Sequence, residues 1–364
     1  PGWRTPSCRA GSKCCRRSCF NARALVLRDI EKGIEMNLQE FQEVSNRLGL
    51  LPPTPENWYS RLPLLKRLDE LFGRPAAEND PVLNCFYHEV CRRVIAEIRT
   101  WRGPGVRVWK LYSSAILVKD ESGQVTGFDL NEGCTPAQRR RTRLRLSPGL
   151  IGEFAELIDR MFYTHGHLDH LGLAVADALL LRGKLVVAPA EAVKSWLLDG
   201  AVPAEEFHAA DVRCFRGMQR MSTEEDIPNS AYVVTFRPGM TLLVRGDIYH
   251  WEDLGPIFDR IEAEKRKIDL MATSPFYQSG PDPILEAYRR FDCRFLPIHE
   301  WEFGHRQLGN GGRATQTYAD LYESFRIPGE AGMGTVLTWG ESVELTANVK
   351  GKKEVRDAEV VHSY

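Results

Sequence analysis

An α/β layered domain preceded by a helical segment is the fold class that this 364-residue sequence predicts. Three observations point there. From Val106 onward, short apolar strand patterns alternate with helical ones. A hairpin opens that run, with the turn Glu121-Ser122-Gly123 between two strand-like stretches. A dense polar cluster, His165 to His170, falls between an apolar strand end and an apolar-periodic helix, where open α/β sheets carry their ligands.

Taken in order, residues 1–22 are rich in Arg and Cys without periodicity and are expected to form a flexible leader. Cys8, Cys14, Cys15 and Cys19 lack the regular CxxC spacing of a metal knuckle. Residues 23–105 read as helices packed on the core. Ile30, Ile34, Leu38 and Phe41 recur at helical spacing, Leu62 to Leu71 form a second stripe, and Phe86, Val90, Val94, Ile95 and Ile98 a third. The main domain is expected over 106–347, with a tail at 348–364. Its strands are predicted at Val106–Lys119, Val125–Leu130, Arg160–Tyr163, Lys184–Ala188, Ala231–Phe236, Thr241–Arg245, Ile268–Thr273, Arg294–Ile298, Thr335–Thr338 and Ser342–Thr346. Helices are predicted at Leu150–Asp159, Leu171–Arg182, Ala190–Leu198, Leu254–Lys265, Pro283–Phe291 and Thr315–Ser324.

Composition narrows the function. Lys and Arg number 48 against 49 for Asp and Glu, so the net charge of −1 lacks the basic excess of a dedicated nucleic-acid binder. The run Arg139 to Arg145 reads as a solvated face. No stretch of about 18 apolar residues is present, which excludes a membrane-spanning helix. Nine unevenly placed cysteines do not make a secreted disulfide framework, and with no export-type apolar segment the expected location is cytoplasmic.

The chemistry concentrates in Met161-Phe-Tyr-Thr-His165-Gly-His167-Leu-Asp169-His170. Three His and one Asp within six positions is a metal-ligand density. His165 and His167, two apart in extended chain, project to one side, while Asp169 and His170 address a neighbouring point. One loop can thereby serve two adjacent metal positions.

This HxHxDH run resembles the signature of the metallo-β-lactamase fold superfamily, in its bacterial metal-dependent hydrolase type. The resemblance implies a four-layered αββα sandwich. It also implies a bridging Asp after a later strand, matched by Asp247 in Val244-Arg-Gly-Asp247, and a last His after a still later strand, matched by His299 in Leu296-Pro-Ile-His299. The implied metal ligands are therefore His165, His167, Asp169, His170, Asp247 and His299, with Asp169 also orienting or deprotonating the attacking water. One part departs from the pattern: Met218 stands where those hydrolases carry a third His. His208, ten residues earlier, is the nearest upstream histidine. A thioether is a poor zinc ligand, so one tightly held ion at Asp169, His170, Asp247 and His299 is expected. Met218, Glu302, His305 and His250 remain as substrate contacts or as groups supporting the ligands, His250 reading more as a loop residue.

The resemblance implies a hydrolase that uses metal-bound hydroxide on an ester, lactone, amide or phosphoester of a small molecule. Zinc is the expected ion, one or two per chain, with iron or manganese as alternatives. Two other classes stay open: an iron-binding redox metalloprotein, and a metal-depleted binding protein or pseudoenzyme. Within hydrolases a nuclease is the alternative. A small-molecule substrate is the expected partner, and a homodimer is one option for the assembly.

Overall fold

The structure, a computed structural model, describes residues 37–74, 76–133, 144–220, 225–276, 279–303, 316–325 and 334–345. The leader with its four cysteines, Ile30, Ile34, Arg139 to Arg143, His305 and the C-terminal tail lie outside those residues.

Three helices come first: α1 (37–49), α2 (Trp58–Phe72) and α3 (Ala76–Thr100). Their stripes do what the spacing predicts, burying Phe41, Leu65, Leu68, Phe86, Val94 and Ile98. Phe72 is the hub. Its ring centroid lies 5.4 Å from Phe41, 5.3 Å from Trp301 and 4.7 Å from Trp339, so the helices share one core with the domain that follows. Two buried cations fasten the contact. Arg61 forks onto Glu341 at 2.7 Å and bonds the carbonyl oxygens of Leu48, Leu51 and Val336. Lys119 Nζ donates to the carbonyls of Ile98 and Trp101, capping the negative end of α3.

Two sheets make the centre. The first contains β1 (Val106–Lys110), β2 (Ile116–Asp120), β3 (Val125–Phe128), β4 (Arg160–Phe162), β5 (Leu185–Ala188), β6 (Val202–Pro203) and, beside β1, β12 (Ser342–Leu345). It is antiparallel from β12 to β3 and parallel from β3 to β6. The second runs β11 (Arg294–Pro297), β10 (Leu270–Thr273), β9 (Met240–Val244), β8 (Ile227–Phe236) and β7 (Val212–Gln219), with β9 to β11 parallel. Strand alternation separates two cores. Val108, Val118, Phe162, Tyr232, Val244 and Leu296 meet between the sheets, whereas Trp109, Leu117, Met161, Val233 and Leu243 face the helices. Outer helices are α4 (Pro148–Leu157), α5 (Leu173–Leu180), α6 (Ala190–Ser195), α7 (Trp251–Ala263), α8 (Pro283–Phe291) and α9 (Tyr318–Ser324). The architecture is an αββα sandwich.

Three expectations need correction. Val106–Lys119 is two strands joined by a bend at 111–115, where Ser113 has φ 55°. Thr335–Thr338 is not a strand: only Gly334 makes a single bridge, to Phe295. The segment around Phe215, outside the predicted strands, is the eight-residue edge strand β7, whose Arg213 and Arg216 mask the alternation. No described helix is long and apolar enough to cross a membrane.

Candidate metal centre

Every element that reaches the centre does so from a strand end. Asp129 follows β3, Thr164 and the HxHxDH loop follow β4, Asp247 follows β9, and His299 follows β11. These are C-terminal ends of parallel strands, brought to one edge of the sandwich. Gly246 is obligatory there: its φ is 58°, and a Cβ would sit 2.6 Å from Asn229 Oδ1 and 2.7 Å from Thr164 Cβ.

The structure brings Asp169, His170, Asp247 and His299 around one point. His170 Nε2 and His299 Nε2 are 3.1 Å apart. Asp169 Oδ2 lies 3.5 Å from His170 Nε2 and 3.4 Å from His299 Nε2, and Asp247 Oδ2 lies at the same two distances. All four side chains are buried. His165 joins from the other side, its Nε2 3.9 Å from Asp247 Oδ2. His165, His170 and Asp247 form one potential ion-holding group, and Asp169, His170 and His299 another. His167 is half-buried, its ring 4.8 Å from that of His165, and belongs to neither group.

Charge in the cluster is tightly balanced. Burial holds the His165 ring well below the usual histidine range, helped by His170 and His167, so it is neutral. Burial opposes protonation of His170 and His299 too, but Asp247 and Asp169 overcome it and push His170 up, and His299 up to about 10. Asp247 is held well down: burial opposes this, and His299 and His170 prevail. Positive charge on these two rings thus balances the neighbouring carboxylates.

A second set of side chains fixes the ring tautomers. Asp129 Oδ2 sits 2.9 Å from His170 Nδ1, while its two oxygens accept from Thr164 N and Thr164 Oγ1, each at 2.8 Å. With Nδ1–H turned to Asp129, His170 in its neutral form carries its lone pair on Nε2, toward the centre. Thr164 Oγ1 donates its one proton to Asp129, so toward His165 Nδ1, at 3.1 Å, it can only accept. The lone pair of His165 is thereby also on Nε2, which has no hydrogen-bond partner. His299 is held differently. Its backbone is left-handed, φ 78°, and its N–H donates to Ser113 O at 3.2 Å. Buried Lys110 bonds the carbonyls of Leu111 and Ser113 and pairs with buried Glu300 at 2.8 Å, locking the two strained loops together.

Other predicted residues are placed elsewhere. β7 presents Gln219, not Met218: buried Gln219 Nε2 donates to Asp247 Oδ2 at 3.2 Å, and half-buried Met218 lies on the alternate face. Glu302 is buried and accepts from Tyr112 Oη at 2.9 Å in the aromatic cluster beneath α2 and α3. His250 precedes α7 and bonds Ser279 Oγ at 3.0 Å. His208 lines a separate cavity of about 580 Å3 with Arg213, Arg216 and Arg260, which none of the clustered residues lines. Sequence reasoning missed Asp129, Thr164, Gln219, Asn229 and the Lys110–Glu300 pair. A signal existed for two of them: Asp129 ends the strand beside the motif strand, and Lys110 is a charge inside an apolar strand.

No known protein-family profile matches the chain, and no curated protein matches it either. Solved structures do. The isothiocyanate hydrolase from Delia radicum gut bacteria aligns at 14% identity and TM-score 0.45, over 66% of this chain and all of its own. A putative metal-dependent hydrolase from Parabacteroides distasonis aligns at 12% identity and TM-score 0.36, over 53% of this chain and 81% of its own. The CmlA β-hydroxylase E377D mutant aligns at 14% and 0.42, over 78% and 62%. Two facing sheets between helical layers, with HxHxDH, Gly-Asp and a last His at strand ends in that order along one edge, give this chain the metallo-β-lactamase fold.

Proposed function

We propose that the chain is a metal-dependent hydrolase of small molecules, built around one tightly held divalent ion, zinc, at Asp169, His170, Asp247 and His299. The spacing of the four donor atoms carries this reading. Neighbouring donors bonded to one ion at about 2.0–2.1 Å lie about 3.0–3.4 Å apart. The five separations given above span 3.1–3.5 Å. Zinc is the proposed ion because imidazole and carboxylate donors suit it, and a further coordination position would be left for water.

Bound there, zinc supplies Lewis acidity and an acidified water at neutral pH. The chain's residues supply the rest. Asp247, a member of one group and 3.4 Å from His299 of the other, orients what binds there, steadied by Gln219. Asp169, near the rim of the cluster, takes the proton of the attacking water. That proton then passes from Asp169 to the departing group, while neutral His165, with its lone pair on Nε2 toward the centre, accepts a hydrogen bond from the attacking water. Because Gln219 stands where a third imidazole would complete a site at His165 and His167, that position holds an ion weakly. The bond attacked is an ester, lactone, amide or phosphoester. Hydrolysis of a panel of such compounds by zinc-loaded protein, abolished by a chelator and by His299→Ala, tests the reading. Chelator-insensitive turnover, or redox turnover with iron only, would overturn it.

A further inference from the structure

Six large apolar side chains stand exposed among the described residues: Leu50, Tyr59, Leu181, Trp196, Leu197 and Phe276. Two of them, Trp196 and Phe276, contact residues beside the metal-centre loops, one from each sheet, and Leu197 follows Trp196 in the chain. Trp196 ends α6, and its indole Nε1 donates at 2.9 Å to the carbonyl of Gly166, the residue between His165 and His167. That bond fixes the ring beside the motif loop with 38% of the residue open to solvent. Leu197 follows in a left-handed conformation, φ 52°, at a helix end where glycine or asparagine is the usual choice. It is 81% exposed, so neither packing nor backbone preference accounts for a leucine there.

On the opposite side, Phe276 follows β10. Its ring meets Tyr249 edge-on at 6.1 Å, and Tyr249 is two residues beyond Asp247. Fully buried Arg245 grips this corner, donating to the carbonyls of Ile248, Ser274 and Phe276. The aromatic ring is thus held in place while remaining 37% exposed.

Resting on the metal-centre reading, we infer that Trp196, Leu197 and Phe276 are the walls of the substrate site, and that the substrate carries an apolar alkyl or aryl group next to the bond that is cleaved. Apolar walls around a few converging polar groups are the usual composition of a small-molecule site. A highly charged substrate would leave these three residues with no partner, whereas an apolar group covers them.

The test uses the full zinc-loaded chain and a series of hydroxamates, which share a metal-binding head and differ in tail length. Calorimetry is run with aceto-, butyro-, hexano- and octanohydroxamate. Affinity should rise by at least about tenfold across the series, since each fully buried methylene is worth about fourfold. Leu197→Ser and Phe276→Ser should each cut that gain by about threefold, and Leu181→Ser, at the far end of α5, should not change it. Acetohydroxamate binding with no dependence on tail length, or a dependence untouched by both variants, would overturn the walls alone. Failure of every hydroxamate on a chain that retains no zinc would overturn the metal-centre reading, and the walls with it.

Discussion

Asp129→Asn should weaken zinc binding while leaving the fold intact. The reasoning is one of donors and acceptors. The Asp129 carboxylate accepts three hydrogen bonds, from Thr164 N, Thr164 Oγ1 and His170 Nδ1. An asparagine has one oxygen and one NH2 for the same three donors. With the NH2 turned toward Thr164 N, two N–H groups face each other in a buried site, costing about 1–3 kcal/mol. With the NH2 turned toward His170, the ring must switch tautomer and carry its proton on Nε2, the atom that faces His299 and the two carboxylates. Either outcome weakens the site. Partners of this kind are worth about 10–100-fold in metal affinity, or about 1.4–2.8 kcal/mol. The assay is competition for zinc against a chromophoric chelator, alongside thermal unfolding of the metal-free chain. Unchanged zinc affinity in a folded Asp129→Asn variant would refute the tautomer argument.

Gln219→His should place a ring beside Asp247 and raise the zinc content measured by elemental analysis, whereas Met218→His, on the other face of β7, should not. Lys110→Met strands Glu300 and should destabilise the chain by about 3–5 kcal/mol; Lys110→Met with Glu300→Leu should recover part of that loss, and a strictly additive double mutant in urea unfolding would contradict the coupling. Asp69 gives a pH signature. Burial raises its carboxyl to about 6 despite bonds from Trp301, Ala319 and Tyr318, so the folded state holds this proton more tightly than the unfolded state does. Its contribution is most favourable below about pH 4 and is lost as pH rises through 6, about 3 kcal/mol in all. The stability difference between wild type and Asp69→Asn should change by most of that amount, about 2.4 kcal/mol, between pH 4 and 7, and a pH-independent difference would count against it.

The sandwich was legible because its signals are local. Strands such as Leu242 to Val244 are apolar on both faces, and the stripes of α3 repeat at helical spacing. The ligand set was legible because the HxHxDH loop is contiguous and Asp247 and His299 each end an apolar strand. What escaped was set by tertiary context. β7 is an edge strand with arginines on its border, so alternation did not mark it, and the face that meets Asp247 follows from its pairing with β8 rather than from the order of residues. Asp129 acts on His170 only because β3 and β4 lie side by side. Lys110 and Glu300, 190 positions apart, pair because two left-handed turns at Ser113 and His299 converge. Helical residues 37–100 carry no motif, yet Phe72 meets Trp301 edge-on, close to His299, so they brace the last ligand.

The central claim is a single tight ion held by Asp169, His170, Asp247 and His299. Zinc titration of the metal-free chain, followed by calorimetry with elemental analysis of the saturated protein, tests it most directly. The account predicts one tight site per chain, a second that fills only at much higher free zinc, and loss of the tight site in His299→Ala with the weak one retained. Two equally tight ions, or a tight site that survives His299→Ala, would contradict it.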